Sequence, residues 1–476
     1  MGIRKNMISN LLLSSSAIVF PLITFPYVTR ILSANSIGKY FFIDALTQYL
    51  IIFSAVGIPY YGIREIAKVK NDAEQRSKLV VELLSIQIAL AVFFAIVLLF
   101  TPYFIPTLKY DATLTKIACI NVISSAFLME WFYQGIENFA YITSRSIIIK
   151  ILSVVSILLL VKQSNDYIIY YLLSTLVVVF NSGLNLYNYL RNHHQPIKSN
   201  LSFKKHLKPL LVLFSINVAV SIYAILDTII LGLLTNSTTV SYYNVPLKLV
   251  KIFWMVVNGA GMVLIPRIAS YFLNNDKHQI ENIIQKSLNI VFLLTIPFCC
   301  FCMMFANEIL AIISGKQYLV AANGLRILSV LPFIIAICNV CGTQFLMPIG
   351  QENKILHATL LGLIISLSLN FLLIPHLGFI GSAIACVAAE TMVCLYVVVS
   401  ALKRIKLNID YQLLVHILLS LCVSIAARFI LRSYFTGITL IISDLLIYAI
   451  VFVFLQLIFF KNIFIFSLVK ISKTRI

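Results

Sequence analysis

Residues 242–265 read YYNVPLKLVKIFWMVVNGAGMVLI. The run is long and apolar enough to cross a bilayer, yet Lys248 and Lys251 sit well inside it. On a helix, Asn244, Lys248, Lys251, Met255 and Asn258 follow steps of four, three, four and three, so they share one face. Four of those five side chains are polar or charged. At about 1.5 Å per residue, Lys248 lies roughly 9 Å and Lys251 roughly 14 Å from the Tyr242 end, too deep for both to reach the interface comfortably. A charge near mid-bilayer costs on the order of 2.5–3.5 kcal/mol on insertion scales. A cationic stripe in such a helix is expected to face water, a counter-ion or an anionic substrate.

Working outward, the whole chain has the same character. Of 476 residues, 61% are hydrophobic and only 11% are Asp, Glu, Lys or Arg, against about 25% charged in soluble chains. The sequence predicts an all-α polytopic membrane protein. The net charge of +19 does not point to nucleic acid, because the basic residues lie in short segments between apolar spans, the pattern that membrane orientation produces. All nine cysteines fall in apolar stretches and read as small buried hydrophobes rather than a disulfide framework. Cys299-Cys300-x-Cys302 has the look of a metal cluster, but no second ligand group accompanies it. Arg4 and Lys5 precede an apolar run without a clear cleavage site, which reads as a retained first helix.

Spans of about 20 residues divide the chain into about fourteen helices, at roughly 9–29, 38–60, 80–101, 113–132, 146–162, 167–190, 210–234, 242–266, 287–309, 323–346, 356–375, 381–402, 413–432 and 438–460. With the N-terminus inside, the inner segments hold 25 Lys and Arg, the outer segments and helix ends hold 8, and Lys248, Lys251 and Arg428 lie within spans. That bias of about three to one predicts cytoplasmic N- and C-termini. No outer loop is large enough to carry a catalytic site, which disfavours a membrane glycan polymerase or glycosyltransferase.

The inner segment RNHHQPIKSNLSFKKHLKP, residues 191–209, reads as a linker between two six-helix halves. Its histidines, His193, His194 and His206, are expected in a solvated basic loop near anionic headgroups. The predicted organisation is a first bundle over 1–195, a linker over 196–209, a second bundle over 210–405, and two further helices with a basic tail over 406–476. A shift of 203 residues places Tyr40 on Tyr243, Arg64 on Arg267, Gln48 on Lys251 and Thr24 on Asp227. Equal spacing and matching orientation suggest a parallel repeat. The halves are then pseudo-symmetric about a central cavity.

Intramembrane ionisable residues are functional candidates by default. Asp227, in SIYAILDTIILGLL, is either a structural partner for Lys248 or Lys251 or an ion-coupling site for H⁺ or Na⁺. Asp44 and Gln48 share a face of the second span as i,i+4 neighbours; Asp44 is either an interfacial group or a second ion-coupling candidate. Arg30 follows the prolines of FPLITFPYVTRIL, which should bend the helix, and is either a phosphate contact or a snorkelling headgroup partner. Glu390 is a further ion-coupling candidate, Arg428 and Asp444 are read as a structural pair, and Asn339, Thr343 and Gln344 as the wall of a polar path. Lys248, Lys251, Arg30, Gln48, Asn244 and Asn258 make up the expected substrate-binding set. No P-loop, DxD cluster or catalytic triad is present, so no enzymatic activity, catalytic residue, metal or organic cofactor is expected.

Several stretches together resemble a known family. Phe25-Pro26-Tyr27, Thr29-Arg30-Ile31-Leu32, Gly38-Lys39-Tyr40, Gly57 and Arg64-Glu65-Ile66-Ala67 form an opening similar to that of the polysaccharide transporters of the multidrug/oligosaccharidyl-lipid/polysaccharide (MOP) flippase superfamily, which include the Wzx-type O-antigen flippases. Asp227 before Ile229-Ile230-Leu231-Gly232, Tyr243 before Lys248-Leu249, Gln344 to Gly350, Asn370 to Pro375, and Gly378 to Ala385 with Glu390 continue the resemblance to about residue 405. One departure is Ser241-Tyr242-Tyr243, where such proteins often carry Gly before the Tyr. The resemblance implies two six-helix bundles around a central cavity and alternating access. It implies ion-gradient coupling and outward movement of undecaprenyl-diphosphate-linked oligosaccharide, with the lipid bilayer and other glycan-assembly membrane proteins as partners. A drug/cation antiporter of the same superfamily and a lipid II flippase are the alternatives. A diphosphate needs cations in a low-dielectric site, which fits the two lysines.

Overall fold

The structure, a computed structural model, describes residues 3–104, 111–198, 200–261, 268, 270–272, 274, 276–407, 410–431, 443, 446 and 450–456. Arg267, Asp444 and the side chains of Asn258 and Arg428 lie outside the described residues. Every regular element described is helical, and the chain divides into two compact units. Unit 1 comprises Met1–Val245 and Leu363–Ala385, unit 2 Pro246–Gly362 and Cys386–Ile476.

Among the described residues, nine helical segments are long and apolar enough to cross a membrane, and Ser15–Ile31, Ile225–Leu234 and Tyr411–Ala426 are shorter apolar pieces. Many outward-facing side chains are large and apolar, as they must be where the solvent is lipid: Phe100, Leu152, Leu159, Ile364 and Leu372 are all more than half exposed.

Unit 1 begins with α1 (Ile3–Ile31) and α2 (Ala34–Ala55). Ser33 caps α2 by accepting from Ser36 N at 3.2 Å. Val56 and Gly57 then both adopt left-handed backbone (φ 40° and 76°), which ends α2 and opens α3 (Ile58–Lys68). That segment, expected as loop, is an amphipathic helix burying Tyr61 and Ile66 and exposing Arg64 and Lys68. Next come α4 (Ala73–Phe104), α5 (Ala112–Ser125), α6 (Glu130–Gly135), α7 (Phe139–Leu160) and α8 (Tyr167–Asn192). The span expected over 113–132 is thus two pieces, broken before Met129, whose φ of 45° is left-handed. Helices α1 and α7, α4 and α5, and α5 and α8 pack side by side.

Two further helices, α9 (Lys204–Leu234) of unit 1 and α10 (Ser237–Gly261), which belongs to unit 1 up to Val245 and to unit 2 from Pro246, are joined by Thr235 and Asn236 alone. So short a link forces antiparallel neighbours. Asn236 Oδ1 accepts from Thr239 N at 2.9 Å and satisfies one orphan donor at the start of α10. Helix α9 packs along α2, and a Cβ at Gly38 would overlap the backbone of Ser237. This glycine lets α2 and the α9–α10 corner touch.

Unit 2 takes in α11 (Lys277–Met304), α12 (Ala306–Ile313), a 3₁₀ turn (Lys316–Ala321), α13 (Ala322–Leu328), α14 (Leu331–Asn339) and a π-helical segment (Val340–Leu346). The span expected over 323–346 is therefore interrupted at Ser329–Val330 and underwound at its π-helical end. Helices α15 (Glu352–Leu377) and α16 (Phe379–Leu402) are shared between the units, and α17 (Tyr411–Leu431) belongs to unit 2. Gly378, at φ 56°, makes the tight turn between α15 and α16. The core of unit 2 is built on Ile284, Leu288, Val340, Phe345, Val397 and Ile417. None of the nine cysteines, all among the described residues, is in a disulfide; five are buried and Cys422 is exposed, and among the described residues no three His, Cys, Asp or Glu side chains are placed to hold a metal.

Candidate functional site

Asp227 lies in the last third of α9, in the largely apolar run SIYAILDTIILGLL. The hairpin supplies the first partner, because α10 runs back beside α9 and brings Tyr243 to the same level. Tyr243 Oη donates to Asp227 Oδ2 at 2.9 Å. The second pair comes from α15, where Ser366 and Asn370 are i,i+4 neighbours on one face. Ser366 Oγ donates to Asp227 Oδ1 at 2.8 Å and Asn370 Nδ2 to the same oxygen at 2.6 Å. Asn370 is oriented in turn by Ser382 of α16, whose Oγ donates to Asn370 Oδ1 at 3.1 Å. Beside this, Thr228 Oγ1 donates to Asn244 Oδ1 at 2.9 Å. Asp227, Thr228, Tyr243, Asn244, Ser366, Asn370 and Ser382 are all buried, and all belong to unit 1.

A carboxylate in such surroundings is held by three donors, two hydroxyls and an amide, from two neighbouring helices. The two hydroxyls can be re-used when a proton or a cation arrives. The Tyr and Ser hydroxyls rotate and can accept from a protonated carboxyl, and their oxygens can also face a cation. The arrangement is therefore chemically suited to exchange a proton or a hard cation inside the membrane.

The other expected residues are distributed as follows. Lys248 and Lys251 are half-buried on α10, inside one continuous helix that accommodates Pro246. Asn244, placed with them in the substrate set, is buried and engaged with Thr228 and the Val240 carbonyl. Arg30 is exposed at the end of α1 and Gln48 is exposed on α2. Asp44 is half-buried on α2, and Glu390 half-buried on α16 in unit 2. In unit 2, Gln344 is buried in the π-helical segment and Thr343 donates to Asn339 Oδ1 at 3.2 Å.

His206 requires a correction. Expected in a solvated loop, it is buried, with Nε2 2.8 Å from Glu82 Oε2 and Nδ1 2.8 Å from Tyr61 Oη. Lys205 Nζ reaches Glu82 Oε2 at 2.9 Å, and Ser202 N donates to Glu82 Oε1 at 2.6 Å. The start of α9 folds back on α3 and α4 because Glu82, fully buried, needs charge and donors that its own helix lacks. At the far end of the same unit, Lys39 Nζ lies 2.8 Å from Asp111 Oδ2, and Tyr167 Oη donates to Asp111 Oδ1 at 2.5 Å.

The solved structures similar to this chain show its fold. A structure of the lipid II flippase MurJ in an inward closed conformation superposes with a TM-score of 0.74 at 15% identity, covering 96% of this chain and 99% of that one. An inward-facing multidrug resistance MATE family transporter of the MOP superfamily gives 0.62 at 15% identity, over 83% and 97% of the two chains. The fold is that of the MOP flippases and transporters.

The family follows from sequence. The profile described as polysaccharide biosynthesis protein matches residues 3–272, more than half of the chain, and the chain belongs to that family. The MatE profile matches residues 213–372. A candidate O-antigen transporter of Escherichia coli K12 is 25% identical over 410 residues, covering 83% of this chain and 95% of that protein. Agl15 of Haloferax volcanii, named as a candidate low-salt glycan biosynthesis flippase, is 25% identical over 163 residues, 34% of each chain.

Proposed function

We propose that this protein moves an undecaprenyl-diphosphate-linked oligosaccharide, such as an O-antigen or capsule repeat unit, from the inner to the outer leaflet of a bacterial cytoplasmic membrane. Its N- and C-termini are cytoplasmic, translocation is by alternating access, and the drive is an H⁺ or Na⁺ gradient. The observation that carries this reading is the pair of half-buried lysines, Lys248 and Lys251, within an apolar span of a chain that belongs to the polysaccharide biosynthesis family. A lipid-linked diphosphate bears about two negative charges, and in a low-dielectric setting it is bound by fixed cations.

Arg30, Gln48, Asn244 and Asn258 are the proposed polar contacts for the rest of the headgroup. Asp227 is the proposed coupling residue, its protonation or cation occupancy changing with the transport state, and Asp44 and Glu390 are the secondary candidates. The MatE profile match favours a drug/cation antiporter as the second reading. Paired lysines in the same span oppose it, because a cationic drug would be repelled.

Lys248→Ala and Lys251→Ala should abolish surface glycan while protein level and membrane insertion remain normal. Lys248→Arg should be tolerated better, since charge rather than fork geometry is required of it. Normal glycan display in both alanine variants would overturn the role of the lysines.

A further inference from the structure

Unit 2 contains a cavity of about 430 Å³ lined by Phe272, Lys277, Ile280, Phe345, Ile349, Arg404 and Ile405, all distinct from the residues proposed to handle transported glycan. Its volume falls within the ~300–1,000 Å³ of small-molecule sites. The lining is divided by chemistry. Five residues are apolar, with Ile280, Phe345, Ile349 and Ile405 buried in the wall and Phe272 43% exposed at the rim. The remaining two are cations, and both are exposed.

Two features make the cationic end receptive to an anion. Arg404 makes no ion pair among the described residues. The carboxylate beside Lys277, Glu281, is 4.0 Å away and also accepts from Lys406 N at 2.8 Å, so it neutralises Lys277 only weakly. Lys277 is also the first residue of the 28-residue helix α11, but its N-cap Asp276 accepts from Gln279 N at 3.1 Å and offsets the positive end of the helix dipole, so the positive potential here comes from the two side-chain cations. Under the orientation proposed above, this end lies at the inner face. There, basic pockets flanked by apolar helix surface suit anionic lipid headgroups.

We infer that this cavity is a binding site for an acidic glycerophospholipid, its phosphate between Lys277 and Arg404 and one acyl chain along Phe345, Ile349 and Ile280. Arg404 presents a planar fork to phosphate oxygens and Lys277 a point charge, while the apolar wall distinguishes a lipid from a free anion. A zwitterionic lipid offers the same chains, but its choline would meet two cations. The site makes the protein responsive to the charge of the inner leaflet independently of the glycan it carries.

The test is native mass spectrometry of the full chain in neutral detergent. Dioleoyl phosphatidylglycerol, dioleoyl phosphatidylcholine and undecaprenyl phosphate are each titrated separately, with inorganic phosphate as competitor. Wild-type protein should retain one phosphatidylglycerol at least tenfold more tightly than phosphatidylcholine, and inorganic phosphate at the same concentration should leave it in place. The double variant Lys277→Gln/Arg404→Gln should lose that preference. Both side chains are exposed, so the fold should survive. Ile349→Trp, which fills the wall and keeps both cations, should weaken phosphatidylglycerol retention similarly. Equal retention by wild type and both variants, or equal retention of the two glycerophospholipids, would overturn the site. Displacement by inorganic phosphate would reduce it to an anion site, and tighter retention of undecaprenyl phosphate would overturn the glycerophospholipid as occupant. None of these outcomes depends on glycan export, which is read separately with Lys248 and Lys251.

Discussion

Asp227 and Glu82 are both buried in unit 1, on helices long enough to enter a membrane, yet the groups turned toward them differ in kind. Glu82 meets Lys205, the imidazole of His206 and the Ser202 amide. Asp227 meets the hydroxyls of Tyr243 and Ser366 and the amide of Asn370. Protonating Glu82 would strand a lysine and a histidine around a neutral acid. The hydroxyls around Asp227 can reverse their direction and accept from it. The first arrangement suits a fixed joint that ties the beginning of α9 to α3 and α4, and the second suits a group whose charge changes during a cycle. Burial alone does not separate a structural acid from a working one; the chemistry of the donors does.

The contrast can be broken or sharpened by substitution. The largest effect is expected at Asp227: Asp227→Asn keeps the shape and most of the hydrogen bonds, so protein level should hold while surface glycan falls roughly a hundredfold, a loss of about 3 kcal/mol of transition-state stabilisation. Wild-type display in that variant would place Asp227 with the structural acids. Glu82→Ala should do the reverse, lowering stability by about 3 kcal/mol. That is the lower end for breaking a buried pair, because Lys205 is about half exposed. Thermal unfolding in detergent would detect it, and the molecules that remain folded should transport normally.

Asn370→Ala leaves Asp227 short of one donor and Ser382 without its acceptor. It should cost about 1–3 kcal/mol of stability and move the pH midpoint of transport. Tyr61→Phe removes one hydrogen bond from His206 and should cost only about 1 kcal/mol, with an unchanged pH profile.

Much of this was legible in the sequence. Apolar run lengths and the Lys and Arg bias predict a polytopic helical chain, and Asp227 stands out as an acid in an apolar run. The finer breaks were not legible. The left-handed residues Val56 and Met129 are ordinary hydrophobes whose backbone is dictated by what they pack against. In the sequence Asn370 stands out only as the start of the family-like run to Pro375, and Ser366 not at all, because hydroxyls are common in membrane helices and their shared target lies 139 and 143 residues away. Their i,i+4 spacing in LLGLIISLSLNFLLIP was the available signal. His206 shows the opposite: its basic neighbours in the sequence predict solvent, while the deciding partner, Glu82, stands 124 residues earlier in another helix.

The most direct test of ion coupling places the purified chain in liposomes with a labelled undecaprenyl-diphosphate oligosaccharide. An imposed pH or Na⁺ gradient is then applied, and the fraction reaching the opposite leaflet is measured for wild type and Asp227→Asn. If Asp227 is the coupling residue, wild-type transfer rises with one of the two gradients and the variant stays near the protein-free rate under either. Transfer by Asp227→Asn at the wild-type rate, with the same response to the gradient, would contradict it.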